Sequence, residues 1–123
     1  MRPDAVLTRI ADYVVRYRIT REPVYRIARY CLLDALACAF YALPHPECAR
    51  LLGPVAAGTR VPNGARVPGT HYVLDPVKAA FDIGTAIRWL DYNDSWYGVE
   101  GGHPSESLGA LIATADYVGR SGS

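Results

Sequence analysis

The stretch Cys31–Leu43, reading Cys-Leu-Leu-Asp-Ala-Leu-Ala-Cys-Ala-Phe-Tyr-Ala-Leu, constrains this chain more than any other part of it. Thr20-Arg-Glu-Pro23 upstream marks a helix start, with Thr20 as N-cap and Pro23 in the first turn. Pro44-His-Pro46 stops the helix near Ala42. From Cys31 onward the helix is apolar on nearly every side, so it must be covered from several directions. It is also interrupted by Asp34, and it falls short of the roughly 20 apolar residues that a membrane span needs. A buried helix in a helical domain is the expectation. With 123 residues in all, the chain is one small domain, expected to bury about two-thirds of its unfolded surface.

The neighbouring segments supply helices to do the covering. Val6, Leu7, Ile10, Val14 and Tyr17 recur at helical spacing, which predicts an amphipathic helix over roughly Asp4–Tyr17. A short helix is expected at Glu47–Leu52, ended by Gly53-Pro54. Residues 53–75 are rich in Gly, Pro, Asn and Thr and read as a long loop of turns and extended chain, with room for one short strand but no alternation to support a sheet. Asp75-Pro76 opens the next helix as N-cap and first residue. Val77, Ala80, Phe81, Gly84, Ile87, Arg88 and Asp91 lie on or beside one stripe of it. Residues 92–103 form a loop, and a last helix starts near Pro104-Ser105 and runs to about Val118. The fold class is all-α.

Charge and cysteine usage exclude several functions. The net charge is +1, which argues against generic nucleic-acid binding. The seven Arg and three acids of residues 1–30, interleaved with Tyr13, Tyr17, Tyr25 and Tyr30, read as solvated helix faces with Tyr at the core edge. Cys31, Cys38 and Cys48 contain no CxxC pair and read as buried small hydrophobes in a reduced setting. The start, Met-Arg-Pro-Asp, has no apolar signal core, so a cytoplasmic, non-membrane protein is expected.

The chemistry concentrates between Arg88 and Ser107. Arg88, Asp91, Asn93, Asp94, Ser95, Glu100, His103, Ser105 and Glu106 stand beside Trp89 and Trp96, a density that suits a desolvated pocket. Asp91 and Asp94 lie near a helix C-terminus, where the macrodipole disfavours negative charge, so they want a cation such as Arg88 or a functional reason. His103 stands before Pro104 and Ser105 at the mouth of a helix, where backbone N–H groups can receive a carboxylate and a neutral imidazole can move a proton. The alternative is structural: His103 and Ser105 cap the helix while Asp91 and Asp94 pair with Arg88. A metal site is not expected from one His and scattered acids, and no dinucleotide loop or P-loop is present.

Ala65-Arg-Val-Pro-Gly-Thr70, Leu74-Asp-Pro-Val-Lys-Ala-Ala-Phe81, Arg88-Trp-Leu-Asp-Tyr-Asn-Asp94 and Gly102-His-Pro-Ser105, in that order, resemble the MmgE/PrpD family. The resemblance spans Asp4 to Tyr117, is densest from Pro62 to Ala113, and is nearest to the 2-methylcitrate dehydratase type. It implies the N-terminal part of a helical domain, over residues 1–123, and a cofactor-independent lyase that removes water from 2-methylcitrate in propionate breakdown. It also implies a small tricarboxylate substrate and a homo-oligomer, or a need for the remaining domain. In that family the positions matching Asp91, Ser95 and His103 line the site. His103 is then the acid–base group, Asp91 orients or tunes it, and Ser95, Arg88 and Ser105 bind substrate. Arg88 and Lys78 are the nearby bases for three carboxylates. The family's further lysines and second histidine come from later in a longer chain, so the expectation is half a site, inactive alone. The alternative is a non-catalytic helical module that self-associates or pairs with a complementary chain. Four positions depart from the usual pattern: Ser95 for Thr, Gly101 for Trp, and Glu106-Ser107 for Asp-Asn.

Overall fold

A computed structural model describes residues 4–120. Five α-helices carry the architecture: α1 Ala5–Arg16, α2 Glu22–Ala42, α3 Pro46–Ala49, α4 Pro76–Arg88 and α5 Leu108–Tyr117. Two two-residue antiparallel ladders accompany them. One joins β1 Ala65–Arg66 to β2 Val73–Leu74, with Ala65 opposite Leu74. The other joins β3 Trp96–Tyr97 to β4 Gly101–Gly102. The helical class therefore holds, with the 53–75 stretch yielding a small hairpin after a run of turns. A 3-10 turn, Pro104–Ser107, leads into α5.

Two of the expected helix starts form as the side chains dictate. The Asp4 carboxylate accepts from the backbone N–H of Val6 at 2.8 Å, and that of Asp75 accepts from Val77 at 3.1 Å and Lys78 at 3.0 Å. The start of α2 differs. Arg21 is its N-cap and makes no side-chain bond, so Thr20 does not cap it. Here Pro23 in the first turn sets the start by its fixed φ. The end of α4 also differs. It stops at Arg88 rather than Asp91, and Asp91 takes a left-handed backbone conformation at φ 54°.

The core is built of Ala35 and Ala39 of α2, Ala79, Ile83, Ala86 and Ile87 of α4, Ala113 of α5, and Ala65, Val67 and Leu74 of the hairpin. Small residues dominate because the helices lie close. A Cβ on Gly109 would come within 2.7 Å of the Ala80 carbonyl oxygen and 2.9 Å of the Gly84 nitrogen, so α5 can approach α4 here because the side chain is missing. The buried stripe of α4 runs through Ala79, Asp82, Ile83, Ala86 and Ile87. Val77 and Phe81, expected on the core face, are exposed; the Phe81 ring meets the Lys78 ammonium at 4.7 Å instead. That shift follows from where α2, α5 and the hairpin sit, which periodicity alone does not specify.

Two carboxylates fasten the irregular segments to the helices. Asp82 is wholly buried; it accepts from the Gly53 backbone N–H at 2.7 Å and pairs with the Lys78 ammonium, which also donates to the Leu51 carbonyl at 3.1 Å. This pins the 50–54 turn to α4. Asp116 of α5 accepts from the Arg66 backbone N–H at 2.7 Å and from its guanidinium, pinning the hairpin. The hydrogen bonds from Arg66 hold the Asp116 carboxyl below the usual carboxylate range.

Asp82→Ala leaves the mostly buried Lys78 ammonium without its partner, and is expected to destabilise the chain by about 3–5 kcal/mol, read as a lowered urea midpoint. The Asp116 anchor carries a pH signature. Because its folded pKa is depressed, its contribution is present above the unfolded carboxylate pKa of about 3.9 and is lost as pH falls from there through the folded value. Arg66→Ala should therefore melt lower than the parent at pH 7 and converge with it towards pH 2. Parallel melting curves across that range would contradict the assignment.

Candidate functional site

The close crossing at Gly109 brings the 3-10 turn beneath the C-terminal end of α4, and there the polar residues meet. Arg88, the last residue of α4, spreads its guanidinium over three partners. One nitrogen donates to the Asn93 side-chain carbonyl at 2.7 Å, one pairs with Asp91 at 2.8 Å, and Nε faces Glu106 at 3.7 Å. Asn93 is buried and donates its amide onward to the Ser105 hydroxyl, itself 1% exposed. The Ser105 backbone N–H donates to Asp94 Oδ1 at 3.2 Å, and the Asp94 backbone N–H donates to Asp34 of α2 at 3.1 Å. A single chain of hydrogen bonds thus links α4, the 92–95 loop, the 3-10 turn and α2.

His103 hangs on this chain. Its Nδ1 lies 2.7 Å from the Asp94 carbonyl oxygen. A carbonyl can only accept, so Nδ1 carries a hydrogen, and in the neutral ring Nε2 is the nitrogen that keeps the lone pair. The Ser95 hydroxyl stands 3.5 Å from the same Nδ1. Both residues line an open cleft of about 310 Å³ together with Trp96, Tyr97, Gly101, Gly102 and Glu106. The cleft is not the desolvated pocket that the two tryptophans suggested: Trp96 is more than half exposed, its ring folded over Gly98.

The five residues singled out from the sequence divide into two groups. Ser95 and His103 share the cleft. Arg88, Asp91 and Ser105 belong to the hydrogen-bonded chain behind it, and Asp91, with its side chain 71% exposed, is not among the cleft-lining residues. The backbone N–H at the helix mouth, foreseen as a receptor for a substrate carboxylate, is taken at Ser105 by the protein's own Asp94.

Three contributors escaped sequence reasoning. Asn93 looked like one polar residue among many, yet it is the buried link between Arg88 and Ser105. Asp94 was expected to need a cation such as Arg88 or a functional reason, and instead organises both the turn and His103; its Oδ2 is buried with no partner among the described residues. Asp34 had a visible signal, a charge inside an otherwise apolar helix, and it faces the loop. Nearby, burial pushes the Cys31 thiol up, and the Asp94 carboxylate adds to the effect. Burial likewise raises Cys38 and Cys48, consistent with unreactive packed thiols.

Known proteins match this chain along almost all of it. A family model described as the MmgE/PrpD N-terminal domain covers residues 8–123. The 2-methylcitrate dehydratase of Cupriavidus necator is 58% identical over 118 residues, which is 96% of this chain and 24% of that protein. The 2-methylcitrate dehydratase of Salmonella typhimurium is 56% identical over 117 residues, 95% of this chain and 24% of that protein. An alkylcitrate dehydratase from a fungal species is 45% identical over 119 residues, again 96% and 24%. The chain spans about a quarter of the length of the curated relatives it matches.

Replacing Asn93 by Leu keeps the branched shape but removes both hydrogen bonds, leaving Ser105 and an Arg88 nitrogen unsatisfied at a cost of about 1–3 kcal/mol. Amide exchange across Pro104–Ser107 should quicken in that variant. An unchanged denaturation midpoint would show that Asn93 does not hold the turn.

Proposed function

The chain belongs to the MmgE/PrpD family, whose N-terminal domain model matches residues 8–123, and from that premise we propose that it carries one half of the active site of a lyase that removes water from 2-methylcitrate or a near relative. The observation that carries this reading is His103, with Nδ1–H tied to the Asp94 carbonyl, Nε2 unencumbered, and the Ser95 hydroxyl beside it in an open cleft.

Dehydration beside a carboxylate breaks a C–H bond and the C–O bond on the adjacent carbon, forms a C=C bond and releases water. One group takes the proton from carbon, another gives a proton to the departing hydroxide, and fixed donors hold the carboxylates. His103 Nε2 serves one of the two proton transfers. Ser95 donates a hydrogen bond to a substrate oxygen. Asp91 acts on the site through Arg88, whose guanidinium it helps orient. Arg88 and Ser105, named from the sequence for substrate binding, contribute here by holding the turn that carries His103. Every task given to these residues is a proton transfer, a hydrogen bond or a positioning contact, so the reading assigns the chain no cofactor. Lysines and a second histidine supplied by the other three-quarters of a family-length polypeptide complete the site, and the chain alone does not turn over. A place in propionate breakdown, a cytoplasmic setting and a homo-oligomer belong to this same reading.

A second reading is a non-catalytic helical module that pairs with a complementary chain, favoured by α1, in which no residue is buried.

The test fuses this chain in front of the part of the Cupriavidus necator dehydratase that lies beyond the matched stretch. The fusion should convert 2-methylcitrate to 2-methyl-cis-aconitate, His103→Ala should lower kcat by about 10²–10⁴, and the 123-residue chain should show no turnover. A fusion without activity, or one indifferent to His103→Ala, supports the non-catalytic module; comparable activity in the chain alone removes the half-site.

A further inference from the structure

A compact monomer of 13.4 kDa exposes about 6,500 Å² by the scaling of surface with mass. This chain exposes 9450 Å², a surplus of about 3,000 Å². Much of it lies on α1 and the first half of α2. Val6, Ile10, Tyr13, Val14 and Tyr17 form one apolar stripe, all exposed, with Tyr13 and Tyr17 stacked at 4.8 Å between ring centres. Tyr25, Ile27, Tyr30 and Leu33 continue the exposed apolar surface on α2. The rim is basic. Two Arg are matched within their own helices, Arg16 with Asp12 and Arg26 with Glu22, while Arg9, Arg18, Arg21 and Arg29 have no carboxylate partner among the described residues.

We infer that the α1 stripe and the first half of α2 form a docking surface for the C-terminal three-quarters of a family-length polypeptide, which presents to it an apolar face with an acidic rim. Two observations select this occupant over a second copy of the chain. Even an obligate homodimer buries only about 1,000–2,500 Å² per partner, less than the surplus. The exposed apolar groups also lie on several faces, including Trp96 and Val99 by the cleft and Leu111 of α5, and one two-fold contact covers a single patch. A body about three times the size of this chain, as the 24% coverage of the relatives implies, can cover several faces at once. The inference rests on the reading that further family polypeptide completes the site, yet the two can fail separately.

The experiment expresses this chain together with the remaining part of the Cupriavidus necator relative, as two polypeptides and as one fusion. Expected is a 1:1 complex by light scattering, with backbone amides of residues 5–16 and 22–30 exchanging at least tenfold more slowly in the complex and in the fusion than in the chain alone. Val14→Asp should dissociate the pair and restore fast exchange in α1 of the fusion, while the amides of Ile83 and Ile87 stay as slow as in the parent. Arg18→Glu with Arg21→Glu should weaken pairing in a salt-dependent way. A homodimer of the chain alone in which α1 is already protected would overturn the inference in favour of a second copy. A fusion in which α1 exchanges as freely as in the isolated chain would overturn it outright, including where the two separate polypeptides fail to form a soluble pair. Protected α1 without turnover of 2-methylcitrate sinks the functional reading and leaves the surface standing; turnover with α1 still exchanging freely does the reverse.

Discussion

The absence of a side chain at Gly109 sets the rest of the arrangement. With α5 seated this close to α4, the 3-10 turn before it falls directly under the end of α4, and Ser105 comes within reach of Asn93. From that contact the polar chain extends in both directions, to Arg88 and Asp91 on one side and to Asp94, His103 and Asp34 on the other. The steric condition and the hydrogen bonds support each other. The crossing positions the donors, and the buried amide of Asn93 fixes the register of the crossing because its misplacement would leave polar groups unpaired in a dry interior.

What the sequence discloses and what it withholds follow from the range of the interactions involved. The start of α4 was legible because an Asp side chain reaches N–H groups two and three residues away, a distance encoded in the residues themselves; α1 was legible from its apolar spacing, and Asp4 caps it in the same way. The α2 start was misassigned at Thr20 for a related reason: a capping residue type is permissive, and nothing in Thr-Arg-Glu-Pro says which residue leaves the helical conformation first. Ser95 was singled out through the resemblance, His103 already by its place before Pro104 and Ser105; the two stand eight positions apart, and the fold brings their side chains to 3.5 Å. Asn93 and Asp82 were not distinguished, since their importance comes from partners 12 and 29 positions away, and single-sequence patterns carry no such pairing. The hairpin at 65–74 was missed because its two-residue strands are too short to alternate.

The apolar helix that first constrained the fold is only partly covered. Ala35, Cys38, Ala39 and Ala42 are buried, as that constraint requires, while Leu33, Phe40 and Tyr41 on its other sides remain open to solvent. Composition alone gave no warning of this. Half the residues are apolar, an ordinary globular proportion, but the fraction of apolar residues does not say whether the chain holds enough mass to surround them. The mass-to-surface relation does: the chain exposes more surface than a compact monomer of its mass.

The electrostatics of the cleft bear on the proposed substrate. A tricarboxylate carries up to three negative charges, and the bases that the sequence offers nearby are Arg88 and Lys78. Lys78 is committed to Asp82 on the buried side of α4, and Arg88 divides its guanidinium among Asp91, Asn93 and Glu106. The cleft itself holds Glu106, whose carboxylate repels such a substrate. On the proposed reading, affinity for the carboxylates comes from cations outside this chain, while the group that moves a proton comes from within it. On the proposed reading, binding and proton transfer are divided between two parts of one polypeptide. Changes at Ser95 or His103 then act mainly on the rate of the bound complex, and discrimination among alkyl citrates lies largely with residues that the chain does not contain.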